Sequence, residues 1–537
     1  MPLTNVQIAP GFNKQVTATG AEGQWTDGDF VRFRYSLPEK IGGWQQITGQ
    51  TLVGATREQL IWADLDGRRY AAIGTHKALI IYYEGGFYDI TPLDTALTSC
   101  TFDTTDTSTT VTVNKNSHNL LAGDLFTFTS VTPPVGAGYV ADDFETNTFE
   151  VISVPDADTF TVTMASAATA TTSASGSATV NPYIKPGPLT QTYGYGWGTD
   201  TWSSGAWGEA SSAQNVILDP GSWSLDHFGQ KLIATVKNGK SFYWDPIASD
   251  PSALSTRATV IPGAPTRSVM SIVSERDRHL IMLGTETTIG SESSQDKMFI
   301  RFSDQESIGD YTPNSTNTAG TFRLDSGVKI IGAAKAKDYI LILTDTSAYV
   351  MQFVGPPFTF SIRQVGSNCG SIGQHAMKYV NGKVYWMGQA GGFFVYDGTV
   401  KSVPCLVEDF VFTDKGDNLG INYNSGEIVY AGLNHLYEEI NWFYAKAGSE
   451  FVDRVVTYNY VENTWTTGSL ARTSWHDSTL YDNPYATQFN GSGTPSFPTI
   501  QGVTNTNGAT IYYAHEVGNN EVDSLGNKTA IPAFIQS

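Results

Sequence analysis

One short pattern constrains the fold of this chain more than any other feature. A strand of four or five residues, a tight turn and a return strand rich in aromatic residues recur along it. The clearest copy is SWSLDHFGQKLIATVKNGKSFYWDP (222–246). Residues 232–236 read as a strand, Lys237-Asn238-Gly239 as a turn, and 241–244 as the return strand. Asn and Gly tolerate the positive φ that such turns require. A single hairpin of this kind is marginal in water, so each copy must lean on others.

Further copies read at 61–64/70–73, 280–283/298–302, 339–343/348–353, 384–387/393–396 and 428–430/455–460. Those in the C-terminal part begin at 232, 280, 339, 384 and 428, so they recur every 44 to 59 residues. Spacing of that order, with several strands per unit, suits the blades of a β-propeller, and between five and seven blades are expected. No window carries an apolar stripe of helical period over four turns, and 407–412 is too short for a substantial helix. The expected fold is therefore all-β: a propeller-like body of degenerate hairpin repeats with a small β-domain inserted in it.

The insert announces itself by composition. Residues 98–180 are rich in Thr, Ser and Ala, and short strands recur at 110–113, 125–128, 148–152 and 159–163. The reading divides the chain into 1–97 (N-terminal segment and first repeats), 98–183 (a small sandwich-like β-domain) and 184–537 (the remaining repeats and a C-terminal β segment). Near the N-terminus, 30–35 alternates as a strand with Val31, Phe33 and Tyr35 on one side. Arg32 and Arg34 form the other, expected as a solvated basic face.

The 53 glycines, 12% aromatics and only 16% charged residues fit a turn-rich β protein rather than a disordered one. The net charge of −20 disfavours a protein that grips nucleic acid, since phosphate binding needs clustered Lys and Arg. It does not bar one that lets nucleic acid pass. Three widely spaced cysteines, 100, 369 and 405, form no CxxC pair and are expected as reduced thiols, with neither a disulfide framework nor a zinc site. MPLTNVQIAP lacks the basic start and apolar run of a signal peptide, and no run of about 18 apolar residues exists to span a membrane. No cofactor is expected.

Candidate chemistry is sparse. In TYGYGWGTDTWSSGAWG (192–208), five aromatics, Tyr193, Tyr195, Trp197, Trp202 and Trp207, interleave with glycines. Such a strip can pack beneath a neighbouring subunit, stack sugars or bases on its rings, or form a mobile loop. It is no phosphate-binding loop, because no GK[ST] follows. His118 beside Asp124 reads as a turn-stabilising pair of polar residues rather than a catalytic one. His515-Glu516 begins like a zinc-protease motif, but the second His is missing. Ser224-Leu225-Asp226 hints at the Asp-box of sialidase propellers, yet its glycine falls one place late. Trp244-Asp245 lacks the Gly-His partner of a WD repeat. Glu408-Asp409 and Glu438-Glu439 are neighbours in sequence, and neighbours on a strand point to opposite faces.

Several stretches together resemble one family. TDGDFVRFRYSLPEKIGGW (26–44), the Gly/Trp strip, the 223–246 module, VVTYNYVENTWTTGSLART (455–473) and IYYAHEVGNN (511–520) occur in the order found in tail nozzle, or head-to-tail stabilisation, proteins of short-tailed bacteriophages. The resemblance spans most of the chain except 98–180, and family members continue past the counterpart of IPAFIQS (531–537) with Arg-rich β-structure. It implies a propeller-rich subunit, six copies of which form a ring beneath the adaptor ring of the portal in a virion tail assembled in the host cytoplasm. Such a ring extends the DNA channel, retains the genome, and docks tail fibres, spikes or a needle. The family brings no catalytic residues. Six copies at −20 each would carry −120. Unit charges 10 Å apart in water interact by only about 0.4 kcal/mol, screened over a Debye length of about 8 Å. Summed along a wall, that discourages DNA from sticking without blocking it. The alternative is an adsorption propeller that binds or cleaves carbohydrate with the Gly/Trp strip and a carboxylate pair.

Overall fold

The computed structural model describes residues 8–17, 19–193, 217–246, 254–414, 419–502 and 508–537. Among them, six four-stranded antiparallel sheets follow one another along the chain. Their first strands are Thr56–Ala63, Trp223–Phe228, Met270–Ser274, Ile330–Lys335, Met377–Val380 and Tyr430–Asn434. Each lies against the next, and Ser474–His476 lies between the sixth and the first, so the ring closes as a seventh sheet. The chain is a β-propeller.

Most of the hairpins legible in the sequence are the middle strands of these blades. The 232–244 hairpin is Lys231–Val236 paired with Ser241–Trp244, and its Asn238 adopts φ +56° as the turn requires. The first strands of blades two to five carry no strict alternation, because both of their faces are covered. Trp223–Phe228, for example, is buried at every residue but His227. In the sixth blade the strand at 439–444 lies between the two segments read as a hairpin, and all of its residues are buried.

The seventh sheet is assembled from both ends of the described chain. Ser474–His476, Tyr485–Asn490 and Ala509–His515 are joined by Trp44–Gln46, which pairs antiparallel with Ala509–His515 and parallel with Asn520–Val522. Ahead of Trp44, Val31–Arg34 and Leu37–Lys40 form a hairpin. Here the expected basic face is corrected. Arg34 and Tyr35 are exposed, but Arg32 is only 4% exposed. Its guanidinium lies 2.5 Å from Glu516 and 3.3 Å from Glu439, with the Tyr437 ring 3.5 Å away. Burial opposes the charge on Arg32, but the two carboxylates override it and raise its pKa. The strand shows solvent only its end, at Arg34, because blades six and seven cover Arg32.

The insert hangs between blades one and two. It is one continuous eight-stranded sheet rather than a sandwich of two, running from Leu97–Thr104 to Thr172–Pro182 in sequence. Its eighth strand, Ile500–Gln501, comes from blade seven and pairs parallel with Thr148–Glu150. The sheet wraps a phenylalanine core that includes Phe102, Phe126, Phe128, Phe144, Phe149 and Phe160. Lys77 of blade one pairs with Glu150 at 2.8 Å, and Arg257 of blade two lies 3.1 Å from Asp89 and 2.8 Å from the Tyr183 hydroxyl. These contacts fix the insert to the ring.

The blade seams are pinned by tryptophan. Trp223 Nε1 donates to Thr75 O at 2.7 Å, and Trp475 Nε1 donates to Leu433 O at 2.9 Å. In both cases the ring lies on a glycine of the preceding blade. A Cβ on Gly74 or Gly432 would come within 2.6 Å of an indole carbon. Trp62 and Trp442 also donate across seams, to Gln230 O and Ala376 O. A buried indole N–H needs a partner, and a carbonyl of the adjoining blade supplies it.

Candidate binding site in the axial funnel

In an antiparallel blade, the turns joining first to second and third to fourth strands share one end. The remaining turns and the blade-to-blade connections share the other, which here carries the insert. Side chains of the first strands converge on the axis as a cavity of about 420 Å³ that opens toward the turn end.

At its mouth, Asp226 lies two residues before the end of the first strand of blade two and Lys335 ends that of blade four. The Lys335 ammonium lies 2.9 Å from Asp226 and 2.6 Å from Glu275. Burial disfavours that ammonium, but the two carboxylates more than offset it and raise its pKa. Asp226, His227 and Glu275 offer ligand atoms within 4.8 Å of one another, yet Lys335 already supplies the cation they would attract. Asp226 also accepts from Val273 N at 2.7 Å, and Ser224 Oγ donates to Ser271 O at 2.6 Å, so Ser224-Leu225-Asp226 clamps blade two to blade three.

At the other end the funnel is shut. Residues 219–222 and 426–429 cross beneath it. Glu427 binds Lys237 and Lys329, each at 3.0 Å, and Asp219 lies 3.4 Å from Lys237. Burial works against the Glu427 carboxylate, but the two lysines hold its pKa down at about 2. Among the described residues the axis narrows there to cavities of about 10 Å³, too small to conduct a strand.

Deep in the funnel, Glu58 accepts from Leu225 N at 2.5 Å and lies 3.5 Å from His375 Nδ1. His375 Nε2 is 3.0 Å from Trp223 O and 3.3 Å from Ser222 Oγ. Serine, histidine and a carboxylate thus stand in line, but with the wrong polarity for nucleophilic catalysis. Burial pushes the Glu58 carboxyl up, against the pull of Lys378, and His375 down to about 3. The Trp223 carbonyl can only accept, so Nε2 carries the ring hydrogen and Nδ1 faces Glu58 as an acceptor. Nε2–H then donates to the Trp223 carbonyl, which leaves no basic nitrogen for Ser222. Burial likewise lowers His476, to about 4.

The histidine and cysteine candidates hold structure. Tyr193 pairs through its backbone with Ile217, while Tyr195, Trp197, Trp202 and Trp207 lie outside the described residues. His118 Nδ1 accepts from Leu120 N and Asp124 accepts from Leu121 N, so each holds its own turn. His515 is buried between Trp44 and Trp475 and accepts from Arg472 Nε at 2.8 Å. Glu438 is exposed in the turn, and Glu439, the first residue of the strand that follows, is buried. Glu439 and Glu516, from distant segments, meet in space, as Asp226 and Glu275 do at Lys335. Arg32 stands between Glu439 and Glu516 beside a cavity of only about 40 Å³. Cys100, Cys369 and Cys405 are buried and free. Sequence reasoning missed Glu58, Gln374, His375 and Lys378, since nothing local marks a first strand as lining an axis.

No protein-family model and no curated protein matches this chain. Among solved structures, the computationally designed Ika8 protein is similar over 88% of this chain and 99% of its own, at 8% identity and a TM-score of 0.35. The phage phi92 endosialidase is similar over 86% of this chain and 58% of its own, at 10% identity and a TM-score of 0.22. BamB from Moraxella catarrhalis is similar over 55% and 82%, at 11% identity and a TM-score of 0.28. Likenesses this loose concern the fold alone, and the fold is a β-propeller with a β-domain set between its first two blades.

Proposed function

We propose that this chain is a structural virion protein, a subunit of a six-copy ring that forms the tail nozzle of a short-tailed bacteriophage. The ring continues the DNA channel below the portal and its adaptor, retains the genome, and docks fibres, spikes or a needle. The observation that carries the reading is the turn end of the propeller. Large apolar side chains stand there on four loops: Tyr35 at 78% exposure and Leu37 at 68% on one, and Leu65 at 86%, Phe358 at 76% and Leu436 at 66% on three others. Water-exposed apolar tips on a rigid ring are the signature of a surface that other proteins cover. In this reading DNA runs in the lumen between copies, since the propeller's own axis narrows too far to conduct a strand, and the chain catalyses nothing.

The test is assembly. The purified chain, mixed with portal–adaptor complexes of the phage that encodes it, is expected to add six copies, counted by analytical ultracentrifugation and cryo-electron microscopy. A chain that stays monomeric or trimeric and ignores those complexes overturns the reading. The alternative, a carbohydrate-binding adsorption protein, draws its support from the axial funnel.

A further inference from the structure

We infer that the axial funnel binds a small, hydroxyl-rich molecule bearing one carboxylate, of the acidic-sugar class, with the carboxylate on Lys378 and a hydroxyl donating to Gln374. This goes beyond the ring reading and stands or falls without it.

Two polar groups lining the cavity have hydrogen-bonding capacity that no described residue takes up. Gln374 is 2% exposed and lines the funnel, yet its Oε1 receives no hydrogen bond, while its Nε2 donates to Trp223 O at 3.4 Å. A buried acceptor left open is rare and calls for a donor. Lys378 lines the same cavity. Its ammonium makes no hydrogen bond to a described residue; burial lowers its pKa, and its neighbours are the Tyr430 ring, 5.4 Å away, and Glu58, which attracts it from beyond ion-pair distance. Lys335, by contrast, is saturated by two acids.

These orphans define the ligand. An ammonium whose facing acid, Glu58, is pushed toward its neutral form by burial calls for one negative charge. Di- and triphosphates need several cations or a nest of backbone N–H groups, and the funnel offers one free ammonium. A metal or organic cation would meet Lys378 in the depth and acids already neutralised at the mouth. The walls add Gln59, Ser271, Tyr379 and His476, which suit hydroxyls better than hydrocarbon. A volume of about 420 Å³, closed below, admits a single small unit or the end of a chain rather than a strand passing through.

The test is calorimetric titration of the full chain with glucuronate, glucose and acetate. Glucuronate is expected to bind with a Kd of about a millimolar or tighter, and glucose and acetate each about tenfold or more weakly. Lys378→Met should weaken glucuronate about tenfold while leaving glucose unchanged. Gln374→Met should weaken both sugars. Lys378→Gln replaces the first variant should that one melt early. Both are to retain the assembly behaviour of the parent chain, so failure here is distinct from failure of the ring. Absence of glucuronate binding, equal binding of glucose, or binding untouched by either Lys378 variant overturns the inference.

Discussion

The propeller and its insert solve the same problem, a buried β core, with different residues. The ring carries tryptophans at its seams, each spending its N–H on a carbonyl of the adjoining blade. The insert has none in 98–183 and relies on interlocking phenylalanines, such as Phe102 and Phe144 with centroids 4.9 Å apart. The difference follows from connectivity. Within the insert one ladder of hydrogen bonds reaches almost every strand, so packing need only be apolar. Between blades no ladder runs, so side chains must supply both the packing and the directional bonds. A torus thus depends on polar handles at its joints, whereas a single wrapped sheet does not.

That contrast can be broken from either side. Phe126→Ala is expected to cost about 3–5 kcal/mol. In calorimetry of the full chain it should lower the transition of the insert and leave that of the ring in place. Arg32→Met removes the cation from between Glu439 and Glu516. It should cost a similar or slightly smaller amount, about 3–5 kcal/mol, since two buried carboxylates lose their partner. Only the ring transition should fall. If both transitions move together in either variant, the two regions do not melt as separate units. Gly432→Ala places a Cβ within 2.6 Å of the Trp475 ring and should cost about 1–3 kcal/mol, read as a lower denaturant midpoint with an unchanged slope.

The smallest effect concerns pH. Burial, opposed by Arg32, pushes Glu439 from its ordinary 4.5 up to about 7. The folded chain therefore holds this proton to higher pH than the unfolded chain does. Its contribution to stability is complete below about 4.5 and is lost as pH rises through about 7. Glu439→Gln should flatten that decline, seen as a melting temperature that changes less between pH 5 and 7 than in the parent. A steeper decline in the variant would reverse the assignment.

Much of this architecture was legible in the sequence where the determinants are local. Lys237-Asn238-Gly239 fixes its hairpin because Asn238 can take a positive φ, and the Thr- and Ser-rich run marks the insert. The first strands were harder to see. Ile330–Lys335 and its counterparts pack on both faces and so lose the alternation that betrays a half-exposed strand. Blade seven was invisible for a plainer reason, since its strands come from residues 44–46 and from beyond 473. The same distance hid the fate of Arg32, whose partner Glu516 lies 484 positions away. The funnel was not legible at all, because Glu58, Gln374 and Lys378 meet only once the ring has closed.

The joining of Trp44–Gln46 to Ala509–His515 sets an order of events at birth. At a synthesis rate of about 5–20 residues per second, the early strand waits on the order of half a minute to a minute and a half for its partner to leave the ribosome. Throughout that delay Trp44 faces water and Arg32 lacks Glu516, while the insert can already collapse around its phenylalanines. Blade seven closes only once both stretches are free, and the first fifty residues are the stretch of nascent chain that a chaperone would have to shelter.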